Sequence, residues 1–285
     1  MVETGVAWIK AVPGGTLLLQ IVEDLARSEI ADRAMTLAGQ AFTSILPVMI
    51  LLSAIPGKGL VDDALDGYKL TSSDLALTSA GTQDSSVTFG VIGAIMTLVS
   101  ATSFSRALDR MYSRVWDVPR LTLREGWRWV VVILAVAIGV VVQILVPNLR
   151  ELWSMRAVVG FGIELVAGFL LWAVLWSAIS RMLTLGRVNT RCLILNGVVT
   201  AAGLTVLVVA THIGMAQVVK SATAQFGILG IIFTVISWLF VFSAIVIGAT
   251  VIVHALSVDD GIVGRWLGRG EEPAESPAIA TTALD

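Results

Sequence analysis

The sequence predicts an all-α fold: a polytopic membrane protein whose core is a bundle of six transmembrane helices, preceded by an N-terminal amphipathic helix. Three observations carry this. The chain has 285 residues, of which 56% are hydrophobic and only 14% charged, against about 25% charged in a soluble domain. Six stretches carry no charge, or one, over at least the ~20 residues a helix needs to cross a bilayer core of about 30 Å. The arginines gather at one end of alternate stretches. A bilayer offers peptide groups no water, so spanning segments satisfy them internally as helices. The stretches are too long for barrel strands and do not alternate.

Residues 1–33 form a cytoplasmic N-terminal segment. Its start, MVETGVAWIKAVPGG, has no adequate apolar core or small-residue cleavage pattern, so no removable signal peptide is expected. Within it, TLLLQIVEDLARSEIADR (16–33) mixes leucines with charges at helical spacing. It reads as an amphipathic helix on the inner surface, or as an extension of the first span.

The membrane domain covers 34–258. Its uncharged runs are Ala34–Gly57, Ser85–Ser105, Trp129–Leu149, Cys192–Val219 and Ser221–Val258, while Ala157–Ser180 carries only Glu164. Pro47 removes a backbone donor and kinks the first span. The loop from Pro56 to Ser86 holds five aspartates and two lysines, and is either a lid over the bundle or a plain linker. The last run is too long for a perpendicular crossing and must tilt or project. Residues 259–285, ending GRGEEPAESPAIATTALD, are small, polar and proline-containing, and predict a largely disordered cytoplasmic tail.

Fourteen of the nineteen lysines and arginines fall on one side: Lys10, Arg27, Arg33, Arg106, Arg110, Arg114, Arg120, Arg124, Arg128, Arg181, Arg187, Arg191, Arg265 and Arg269. The other side has Lys58, Lys69, Arg150, Arg156 and Lys220. The excess predicts that both termini are cytoplasmic. Arg106, Arg110 and Arg114 recur every fourth residue on one helical face. They either grip lipid phosphates or serve as ordinary inner-face anchors.

Glu164 is the chief candidate for function. Gly160, Glu164 and Gly168 share one helical face, with Val166, Phe169 and Leu170 on the other. Small residues mark where helices approach closely, so the carboxyl points into the bundle. Keeping it charged there costs several kcal/mol without a partner. Gln143 and His212 are expected at similar depth in the outer half, so the three form one polar layer. A Glu–His pair serves as a proton relay or as a structural clip between helices. A second polar set lies in the inner half: Gln40, Thr43, Ser44, Ser100, Thr102, Ser103, Ser105, Asn196 and Thr200. Together the two sets suit an alternating pathway or ordinary helix packing. His254, near the inner end of the last span, reads as interfacial.

A lone cysteine, Cys192, allows no intrachain disulfide and no cysteine metal cluster. No Cys/His zinc spacing, phosphate loop or GxSxG elbow occurs, so no cofactor or metal is expected.

Three stretches carry a resemblance. FGILGIIFTVISWLFVFSAIVIGAT supplies Phe226, Gly227, Leu229, Gly230, Trp238, Gly248 and Ala249. ADRAMTLAGQAFTSILPVMILLSA (31–54) supplies Ser44 and Pro47, and SFSRALDRMYSRVW (103–116) follows the second span. Over residues 25 to 258 the chain resembles the BrkB/YihY family of bacterial membrane proteins, whose closing helix pattern continues Gly-Ala-Glu. Here Thr250 replaces that glutamate. The resemblance implies a bacterial cytoplasmic (inner) membrane protein. Family members have been labelled ribonuclease BN or virulence factors. The ribonuclease label finds no support in a chain with only two histidines, both in or beside spans.

The resulting expectation is a non-enzymatic transporter or translocase of an amphipathic or lipid-linked substrate, without its own ATPase. The alternative is a non-transporting scaffold for envelope assembly, and a membrane hydrolase comes third. Expected partners are membrane lipids and such a substrate, with no nucleic acid; a homo-oligomer is left open.

Overall fold

The computed structural model describes residues 30–53, 86–145, 157–259 and 262–267. Every regular element among them is helical: α1 (Ile30–Ser53), α2 (Ser86–Val115), a 3-10 turn (Leu123–Glu125), α3 (Trp127–Leu145), α4 (Ala157–Leu183), α5 (Thr190–Phe226), α6 (Ile228–Val258) and the short α7 (Ile262–Leu267). Three segments among the described residues are long and apolar enough to cross a membrane, namely Gly162–Leu183, Thr190–Phe226 and Ile228–Val258. Ile30–Arg33 belong to α1, as an extension of the first long helix would require. Residues 16–29 of the expected amphipathic helix, and 54–85 with the acidic loop, lie outside the described residues.

Each long helix packs on its neighbours in sequence, and α6 closes the ring against α1. The helix starts follow local chemistry. Glu125 reaches back to the start of the 3-10 turn before α3: the Thr122 N–H and hydroxyl both donate to Glu125 Oε2, at 3.1 and 3.2 Å. The Thr122 N–H, aided by Arg128 and Arg187, holds that carboxyl below the usual glutamate range. Asn189 caps α5, its side chain accepting from Arg191 N–H at 3.0 Å.

One boundary differs from the sequence expectation. Lys220 was to separate the last two spans, but α5 runs through it to Phe226. A single charge near a helix end reaches out to the interface without breaking the helix. The chain turns instead at Gly227, whose φ of +57° and ψ of −137° suit only glycine. At about 1.5 Å per residue, the 37 residues of α5 measure about 55 Å. The excess length thus lies on both helices, not on the last alone. The expected tail also begins with structure. In α7, Trp266 O accepts from Arg191 Nη1 at 2.9 Å, and Leu267 is fully buried.

The core sits in the half of the bundle nearer the arginines. Leu108 and Tyr112 of α2, Val132 of α3, Trp176, Ile179 and Leu183 of α4, Leu204 of α5, and Val246 and Ile247 of α6 pack as one cluster. Each fully buried large side chain stabilises by about 1.5–3 kcal/mol where it leaves water; in lipid, close packing itself supplies the attraction. Gly197 makes that packing possible between α4 and α5. A Cβ there would run into Ser177 and the Ala173 carbonyl.

Candidate functional site

Two polar groupings emerge, one in each half of the bundle. The first lies between α4 and α5. Glu164, Leu165, Gly168, Phe169 and Trp172 of α4 face Thr205, Val208 and His212 of α5 across one cleft. Glu164 and His212 therefore line the same space, as a shared polar layer requires. The volume open to water is about 10 Å³, roughly one water molecule. Glu164 is partly buried and His212 exposed at the helix surface. Gly168 is buried beside the carboxyl, while Val166 and Leu170 are exposed. Phe169 departs from expectation: it lines the cleft rather than facing away, because the cleft wraps round the helix beyond the Gly-Glu-Gly stripe. Gln143 lies on α3, and its side chain is outside the described residues.

The second grouping is a buried clasp. Asn196 of α5 donates through Nδ2 to Ser180 Oγ of α4 at 2.8 Å and to Tyr112 OH of α2 at 3.2 Å. The Ser180 and Tyr112 hydroxyls are 3.0 Å apart. All three residues are fully buried, so one network ties α2, α4 and α5. Thr250 of α6, the departure from the Gly-Ala-Glu pattern, is fully buried as well and donates to Val246 O of its own helix at 2.8 Å. Asn196 Oδ1, Thr200 Oγ1 and Ser243 Oγ are buried there or near it without a hydrogen-bond partner. Of the inner polar set, Asn196 alone joins the clasp among the described side chains. Thr43 and Thr102 donate back to their own helices at 2.9 and 2.7 Å, and Ser100 is partly buried on α2.

Gln40 belongs to neither group. In the amide orientation that satisfies both neighbours, it donates to Ser103 O at 3.1 Å and accepts from Arg110 Nη2 at 3.2 Å. Arg110 therefore turns in toward α1. Arg106 lies over the Trp129 ring at 4.7 Å, and Arg114 is exposed. The three side chains thus have different neighbours, because the spacing that aligns their Cα atoms leaves each long side chain free to find its own partner. His254 packs edge-on against Trp116 at 5.3 Å, at the inner end of α6.

Sequence reasoning missed Tyr112 and Ser180. Tyr112 is one of only two tyrosines in a strongly apolar chain, and it falls inside SFSRALDRMYSRVW. A buried phenol needs a partner, which was the available signal.

Among the described residues no cluster of His, Cys, Asp or Glu could hold a metal ion. Apolar helices joined round a buried polar clasp define a helical membrane protein. The chain belongs to the BrkB family: the family model described as "Virulence factor BrkB" matches residues 21–261. No curated protein and no solved structure matches it.

Proposed function

We propose that the chain crosses the bacterial inner membrane six times with both termini cytoplasmic, and moves an amphipathic or lipid-linked solute without its own ATPase. The Glu164–His212 cleft is the binding or proton-coupling site of this reading. The observation that carries it is that these two titratable side chains, on neighbouring apolar helices, line one cleft. An ionisable group in a spanning helix is costly enough that it marks a solute or proton path more often than chance. The pair can pass a proton between carboxylate and imidazole, directly or through one water. The tightness of the cleft makes this a closed state, so passage requires α4 and α5 to part.

A second reading, a non-transporting scaffold for envelope assembly, is favoured by that same tightness. Leaflet exchange of a fluorescent NBD-phospholipid in proteoliposomes separates the two. Under the first reading the wild type accelerates exchange and Glu164→Gln slows it about tenfold, the equivalent of 1.4 kcal/mol. Exchange equal to that of protein-free vesicles supports the scaffold. Exchange that is unchanged in Glu164→Gln removes the carboxyl from the mechanism.

A further inference from the structure

Nearer their Gly227 end, α5 and α6 flank a second groove. We propose that the groove between them binds one acyl chain of a membrane lipid. Its volume is about 520 Å³, within the 300–1,000 Å³ of typical ligand sites.

The ends of the groove are fixed. At the Gly227 turn, Gly230 lies so close to the Ala222 carbonyl that no Cβ fits there. Toward the bundle core, Trp238 Nε1 donates to Thr211 Oγ1 at 3.1 Å and locks the two helices together. Between these points the walls are Met215, Val218, Phe226, Phe233, Trp238 and Val241.

The chemistry selects hydrocarbon. Of the polar groups beside the groove, Thr234 Oγ1 donates to Gly230 O at 2.8 Å, the Trp238 N–H is taken by Thr211, and Ser237 adds one hydroxyl to an otherwise apolar wall. A polar ligand would enter without those donors and would lose its own hydration. Both helices are long and apolar enough to cross the bilayer, and Phe226 and Phe233 stand 64% and 63% exposed at the rim of the groove, as a groove that faces lipid would have them. A concave apolar channel contacts a chain along its length, whereas a convex helix face touches it on one side only. That difference favours one retained chain over exchangeable solvent lipid. The site stands apart from the proposed transport reading and does not require it.

The test uses the full chain in proteoliposomes containing a phosphatidylcholine with a diazirine on one acyl chain. After illumination, adducts are located and counted by mass spectrometry. The proposal expects a saturable single adduct per chain, on Met215 or Phe233, displaced by unlabelled phosphatidylcholine. Ser237→Trp, which fills the groove, should lose it, and Val174→Trp on the exposed face of α4 should keep it. Adducts spread equally over the groove and the Val174 face, with no saturation, would mean solvent lipid only and overturn the proposal. So would the absence of any adduct. Should Ser237→Trp fail to fold, saturation and displacement in the wild type decide the matter alone.

Discussion

Asn196 uses both amide protons at once, one on Ser180 at 2.8 Å and one on Tyr112 at 3.2 Å, and so joins three helices in a site without water access. Removing it leaves two hydroxyls short of a donor. Asn196→Ala is expected to cost about 1–3 kcal/mol, read as a lower melting temperature in detergent. Tyr112→Phe should cost less once Asn196 is gone, because the two act in one network. Full additivity in that double-mutant cycle would contradict the clasp.

A Cβ at Gly197 would meet the Ala173 carbonyl and the Ser177 amide as well as the Ser177 hydroxyl, and the backbone groups cannot swing aside. Gly197→Val should therefore force α4 from α5 and lower stability by about 1–3 kcal/mol or more. Thermal unfolding of the purified variant measures this. Gly39, whose added Cβ would meet nothing within 4 Å, should accept alanine with little change.

The turn at Gly227 gives a third expectation. A side chain at φ +57° and ψ −137° is strained by about 1–3 kcal/mol. Gly227→Ala should lower the melting temperature and loosen the α5–α6 end. The strain comes from the backbone, so Gly227→Asn should not fully restore the wild type.

Asp109 supplies a pH dependence. It lies beyond the proposed second span, is 4% exposed and accepts from Leu121 N–H at 3.4 Å. Burial pushes its carboxyl above the ordinary aspartate range, against the pull of the Leu121 N–H, Arg120 and Arg110. A pKa higher in the folded than in the unfolded chain means that the ionised group costs stability at neutral pH. As pH falls through the folded value, the folded state takes the proton first and that cost disappears. Asp109→Asn keeps the acceptor and removes the charge. It should match or exceed wild-type stability at neutral pH, with the gap closing as pH falls. Asp109→Ala should be less stable than either. Melting temperatures across a pH series in detergent check the order.

The helical class was legible because charge is excluded from long runs by the same cost that keeps it out of hydrocarbon. That Glu164 and His212 lie at a shared depth was an expectation of the sequence; that α4 and α5 are neighbours and the two residues line one cleft needed coordinates. Side-chain partners were not legible where a long residue had several within reach. Arg110 turns to Gln40 while Arg106 stacks on Trp129, though both share one helical face. Gly227 and Gly230 were legible as the outer start of the last span, and the chain does reverse at Gly227, where a positive φ is available; what escaped is that α5 runs on through the lone Lys220 to reach that turn. The clasp escaped because Tyr112, Ser180 and Asn196 lie 16 to 84 residues apart.

The most direct test of the proposed site is a double-mutant cycle on leaflet exchange of NBD-phospholipid, with Glu164→Gln, His212→Gln and the pair combined. If carboxyl and imidazole work as one unit, the double variant should be no slower than the slower single variant. Independent, multiplying losses, or a wild-type rate in Glu164→Gln, would contradict it.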